Sequence, residues 1–150
     1  MELLDSHVPE SEIAQSREAY YASKNSGNLD NNLAFAYAVD LLRTSKTKNL
    51  ETAVKMFEEL FCNTSDDGFQ RDCLFYIAVG CTKLTEYKRA IECCENILKV
   101  EPKNHQTCQL KKEIERRIRR DGITGIAAIS GAVVGAAALI GLGIGLAKRK

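Results

Sequence analysis

One stretch limits this chain more than any other. Residues 123–146 read ITGIAAISGAVVGAAALIGLGIGL and hold no charged residue. As a helix at about 1.5 Å per residue, they would reach ~36 Å, enough to cross a hydrocarbon core of ~30 Å with some tilt. Six glycines lie in the run. They would weaken a buried helix in water, whereas lipid tolerates them and they let helices approach closely. The sequence therefore predicts a transmembrane helix, with only Ala147, Lys148, Arg149 and Lys150 after it. So late a span would insert after synthesis, as a tail anchor. Its Ala- and Gly-rich, moderate hydrophobicity and basic tail (Lys148, Arg149, Lys150) point to mitochondria or peroxisomes rather than the endoplasmic reticulum. Small residues recur four apart at Ala127, Gly131 and Gly135, and again at Ala137, Gly141 and Gly145. That spacing suits self-association of the span into a homo-oligomer. A span built only for modest hydrophobicity would look the same.

Charge follows the same division. Residues 1–110 hold 12 Lys/Arg and 17 Asp/Glu, whereas residues 111–150 hold 9 and 3. The positive excess thus gathers around the apolar run, which suits an anionic membrane surface and argues against nucleic acid as a partner. Lys111, Lys112, Arg116, Arg117, Arg119 and Arg120 precede the run and place the body on the cytosolic side. The N-terminus, MELLDSHVPESE, has no basic start and no long apolar stretch, so it is no secretory signal. The six cysteines show no C-x-x-C pair and no spacing for a metal site. They read as small apolar residues in a reducing compartment. In the vicinal pair, only Cys94 fits a helical core stripe.

The body reads as all-α. Apolar residues fall at i, i+3, i+4 and i+7 in three segments, Ala34–Tyr37–Ala38–Leu41, Leu74–Ile77–Ala78–Cys81 and Tyr87–Ala90–Ile91–Cys94, and Leu50, Ala53, Phe57, Leu60 and Phe61 keep the same helical spacing in a fourth. Weaker helices cover about residues 9–24 and 103–121. Six helices are expected in all. A shift of 40 aligns FAYAVDLLR (35–43) with FYIAVGCTK (75–83), which marks an internal repeat. Residues 71–104 have the 34-residue length of a tetratricopeptide repeat (TPR). Ala78 and Ala90 stand where paired helices approach, and Pro102 stands where the second helix ends. Cys81 and Cys94 replace the aromatics usual at two other positions. The expected architecture is a six-helix bundle with two TPR-like pairs, residues 9–121, followed by the membrane helix.

Stacked pairs of this kind present a concave groove. Beside the core stripe of the second repeat runs another of Asp72, Phe75, Val79 and Lys83. Its counterparts in the first repeat are Asn32, Phe35, Val39 and Arg43, and Tyr76 could join either stripe. Two apolar residues next to a cation, offered twice, suit an amphipathic or acidic peptide. Phe35 and Phe75 could equally pack as ordinary core, and Arg43 and Lys83 could be merely solvated. Residues 1–8 read as a disordered terminus, although Leu3, Leu4 and Val8 would let the arm fold into the groove.

Three stretches carry a family resemblance. They are QRDCLFYIAVGCTKLTEYKRAIE (70–92), VEPKN (100–104) and RDG (120–122). In this order and spacing the chain resembles the mitochondrial fission protein family from about residue 34 onward. Members are tail-anchored, TPR-like proteins with six helices and one membrane span. The resemblance implies an adaptor on the mitochondrial outer membrane and on peroxisomes. Its groove would recruit a dynamin-related GTPase, directly or through other adaptor proteins. The competing class is a tail-anchored co-chaperone or import receptor, whose groove would clamp a C-terminal carboxylate with several Lys, Arg and Asn. Catalysis has little to stand on. His7 and His105 are the only imidazoles, and no nucleophile elbow, phosphate loop or cofactor motif appears.

Overall fold

The computed structural model describes residues 1–123. Its elements are α1 (Glu2–Asp5), a 3-10 turn (Glu10–Ile13), α2 (Ala14–Asn25), α3 (Asn31–Leu42), α4 (Thr47–Asn63), α5 (Asp67–Lys83), α6 (Tyr87–Val100) and α7 (His105–Arg120). The described residues thus form seven helices and no strand. The seventh is α1, in the arm expected to be disordered. The expected first helix divides into the 3-10 turn and α2.

Local chemistry explains the helix starts. Asp30 accepts from the amides of Asn32 and Leu33, Asp66 from that of Phe69, and Asn104 from that of Thr107. Each cap satisfies amides that a first turn leaves open. The Asp66 cap starts α5 at Asp67, four residues before the repeat length suggests. α5 and α6 are joined through Thr85 at φ 62°, a left-handed conformation unusual for a side chain with a Cβ.

Consecutive helices from α2 to α7 pack side by side across short turns, as antiparallel neighbours do. α3 also touches α5, and α5 touches α7, whereas α4 and α6 make no comparable contact. The stack is therefore curved, with α3, α5 and α7 on the inner side. Small residues set the spacing: Ala38, Ala53, Ala78 and Ala90 are all fully buried. Gly80 permits the tightest approach. A Cβ there would lie 2.5 Å from Val54 Cγ2 and 3.1 Å from Leu42 Cδ2.

α5 is the central helix and buries ten residues, including Cys73, Cys81 and Thr82. α2 buries none and lies at the edge. Of its two expected apolar tyrosines, Tyr20 is half-buried and Tyr21 is exposed. Both Cys93 and Cys94 are fully buried, which corrects the expectation for the pair. α6 lies between α5 and α7, so two of its faces are covered rather than one. Burial raises the thiol pKa of Cys73 and Cys94 to about 12, and pushes Cys81 and Cys93 up as well.

Among the described residues no helix is long and apolar enough to cross a membrane. Ile123, first in the expected span, is exposed. Gly131, Gly135, Gly141 and Gly145, and the tail of Lys148, Arg149 and Lys150, lie outside the described residues.

Candidate functional site: an aromatic ledge between two helix pairs

The inner face of α3 and α5 carries a cluster of rings. Phe35 is half-buried and lies 5.2 Å from Phe57, 5.2 Å from Phe69 and 5.3 Å from Tyr76, centroid to centroid. Phe57, from α4, is fully buried and stacks on Tyr76 at 5.3 Å. The core therefore supplies a fixed backing, and Phe35, Phe69 and Tyr76 form a ledge whose rings are only partly covered. Edge-to-face and stacked ring pairs of this kind add stability beyond buried area. Val39, one turn along α3, is also half-buried against the core. Tyr76 has its phenol pKa raised by burial and then by the nearby Asp72 carboxylate.

The other expected groove residues have different surroundings. Phe75 is buried at 7% exposure and Val79 at 0%, so neither presents a surface. Both were expected beside the groove, but α5 is covered by α4, α6, α1, α3 and α7, and its second apolar stripe becomes core. Asn32 is exposed in the first turn of α3. Asp72 accepts from Nε and Nη2 of Arg71, at 3.1 and 3.0 Å. Arg71 also bonds Glu101 at 3.1 Å, which ties the start of α5 to the end of α6.

Neither repeat cation is merely solvated. Arg43 pairs with Asp40 at 3.1 Å and with Glu12 at 3.5 Å. Lys83 is half-buried, and its Nζ donates to the carbonyls of Leu42 (2.5 Å), Ser6 (2.8 Å), Thr44 (3.2 Å) and Leu3 (3.5 Å). One ammonium thus joins the arm to the α3–α4 turn. Burial lowers the pKa of Lys83 to about 8, the Arg117 charge acting in the same direction and Asp5 against it. The arm has further attachments. Leu4 is buried, Asp5 pairs with Arg117 at 2.8 Å, and the Val8 amide donates to the Arg43 carbonyl at 2.9 Å. These contacts overturn the expectation of a disordered terminus: residues 1–8 pack on the C-terminal end of α5.

Sequence reasoning missed Phe69. The signal was present, since Phe69 and Tyr76 are seven apart and share a helical face. The apolar period of α5 begins only at Leu74, and it is the Asp66 cap that extends the helix back to bring Phe69 onto it.

The fold and the ledge define a TPR-like helical scaffold with a partly apolar inner face. Residues 71–123 match the family model described as the Fis1 C-terminal tetratricopeptide repeat. The chain is 32% identical over 148 residues to the Mitochondrial fission 1 protein of Homo sapiens, covering 99% of this chain and 96% of that protein. The same identity and coverage hold for the Mitochondrial fission 1 protein of Bos taurus. The chain belongs to the mitochondrial fission 1 family. The fold is shared with yeast Fis1, solved in complex with an Mdv1 fragment containing N-terminal extension and coiled-coil domains. That match has a TM-score of 0.70 at 22% identity and covers 80% of this chain and 92% of the yeast chain.

Proposed function

We propose that this chain is a tail-anchored adaptor of organelle division. Its body, residues 9–121, faces the cytosol, and residues 123–146 cross the mitochondrial outer membrane, with a second pool on peroxisomes. The ledge on α3 and α5 takes an apolar segment of a partner, either a dynamin-related GTPase or an adaptor that brings one. The observation that carries this reading is the half-covered cluster of Phe35, Phe69 and Tyr76 beside Val39. Family membership supports it, since yeast Fis1 was solved in complex with a fragment of another protein, Mdv1. Phe75 and Val79 shape the floor beneath the contact, and Asn32 and Asp72 give it a polar rim.

Arg43 and Lys83 are engaged within the fold. A carboxylate clamp, as the co-chaperone reading requires, would need them free. The test is a pull-down with Val39→Ser and Phe69→Ala combined. Partner capture by full-length protein should fall at least tenfold, while circular dichroism and capture by a Tyr21→Ala control stay unchanged. Undiminished capture by the folded double variant would remove the ledge from the interface. Targeting is tested by imaging the full chain beside one lacking Lys148, Arg149 and Lys150. The shortened chain should lose its mitochondrial and peroxisomal enrichment.

A further inference from the structure

The end of α7 ought to fray. Leu110 and Ile114 are buried, but Ile118 is only half-buried and residues 119–123 are exposed. A final turn with so little apolar cover is held weakly unless something else fixes it. Here three backbone bonds do. The Asp121 amide donates to the Arg117 carbonyl at 2.9 Å, that of Gly122 to Arg119 at 3.2 Å, and that of Ile123 to Ile118 at 3.1 Å. Gly122 has φ 68°, with open space around its Cα. This is a Schellman cap, with glycine at the left-handed position and a six-to-one bond closing over it. It ends α7 and takes the backbone off the helical path at Gly122.

A side-chain bond reinforces the cap from another helix. Tyr87 opens α6 and is buried at 3% exposure. Its hydroxyl donates to Oδ2 of Asp121 at 2.6 Å, while Nε of Arg120 donates to Oδ1 at 2.8 Å. These donors hold the Asp121 carboxyl below its usual range. A buried ring has little freedom, so the phenol is a fixed post to which the helix end is tied.

We propose that Tyr87 and the Gly122 cap form a rigid corner, which fixes the pose of the helical body relative to the segment that follows Ile123. This rests on the reading of that segment as a membrane anchor. A fixed corner holds the aromatic ledge at one angle to the bilayer, whereas a loose tether would let it sample many. Tyr87 is a positioning residue in this scheme and need not touch the partner.

The experiment uses the full chain in liposomes. A donor dye is placed on the exposed Cys62, with the half-buried Cys108 changed to serine, and acceptor lipids are added. Time-resolved energy transfer then gives the distribution of distances from Cys62 to the membrane. The unaltered corner should give a narrow distribution. Tyr87→Phe, which removes only the hydroxyl, should widen it about twofold. A variant with four flexible residues inserted after Gly122 sets the width of a loose tether. A starting protein as broad as that insertion variant would overturn the proposal, as would an unchanged width in folded Tyr87→Phe. Flotation of the liposomes reads the anchor separately. If the chain does not float, the anchor reading fails, and the corner is judged by amide exchange of the full chain in detergent. Protected Gly122 and Ile123 amides that exchange tenfold faster in Tyr87→Phe support it, and unprotected ones overturn it.

Discussion

α3 and α5 carry nearly the same sequence stripe and use it differently. Phe35 and Val39 stay half-covered on α3, while Phe75 and Val79 vanish into the core on α5. Arg43 pairs with carboxylates at the surface, and Lys83 gathers four carbonyls beneath the arm. The difference comes from position in the stack. α5 packs against α1, α3, α4, α6 and α7 and keeps only the Phe69–Tyr76 face partly open, whereas α3 is bordered by α2, α4, the 3-10 turn and the edge of α5. A repeat fixes which residues can face inward, and the order of stacking decides which of them water still reaches.

The comparison can be broken most forcefully at Gly80. Its counterpart in the first repeat is Asp40, half-buried and bonded to Arg43. Gly80→Ala should cost about 1–3 kcal/mol, because its Cβ would overlap Val54 between tightly packed helices. Asp40→Ala should cost about 0.5 kcal/mol, the worth of a surface pair. Urea denaturation of both variants decides the point, and equal costs would mean that α3 and α5 are packed alike.

The next contrast is between the two cations. Lys83→Met removes the donor that joins arm and turn. Exchange at the Val8 amide, which is bonded to the Arg43 carbonyl, should quicken about tenfold, a change of about 1.4 kcal/mol in local opening. Arg43→Met keeps that carbonyl and should leave the rate within twofold. Heteronuclear exchange measurements would show both.

A smaller effect is expected in the turns. The α5–α6 turn holds Thr85 at φ 62°. Thr85→Gly should stabilise by about 0.5–1 kcal/mol, since glycine adopts this conformation without the Cβ penalty. Thermal unfolding that shows no gain would place the strain elsewhere.

The smallest effect lies outside the pair, on α7. Glu113 accepts from Arg116 and Arg117, and these bonds hold its pKa down at about 2 against an ordinary value of 4.5. A depressed carboxyl stabilises the fold fully above the unfolded value and loses that contribution as pH falls towards the folded one. Glu113→Gln should therefore flatten the loss of stability between pH 4.5 and 2, leaving the curve above it parallel.

Much of this was legible beforehand. The periodicities at Leu74–Cys81 and Tyr87–Cys94 mark helices because burial along one face leaves a 3.6-residue trace. Ala78, Ala90 and Pro102 mark a repeat because close approach and chain reversal demand those residue types. The ledge was half legible. Phe35, Val39 and Tyr76 could be named, but Phe69 was hidden by an unread cap. The burial of Val79 was hidden because a stripe pattern says nothing of how many neighbours a helix will have. The arm was least legible. Leu3, Leu4 and Val8 are a weak apolar signal, and much of what holds the arm is backbone, the carbonyls that meet Lys83 and the Val8 amide on the Arg43 carbonyl, groups that nearly every residue carries.

The buried sulfurs give the molecule a built-in gauge of its own integrity. Cys73, Cys81, Cys93 and Cys94 are sealed and held as thiols, while Cys62 is open to solvent. An alkylating reagent at neutral pH should consume Cys62 quickly and Cys108 next. It reaches the remaining four only when the stack separates, so the slow phase of labelling times how often the native protein comes apart.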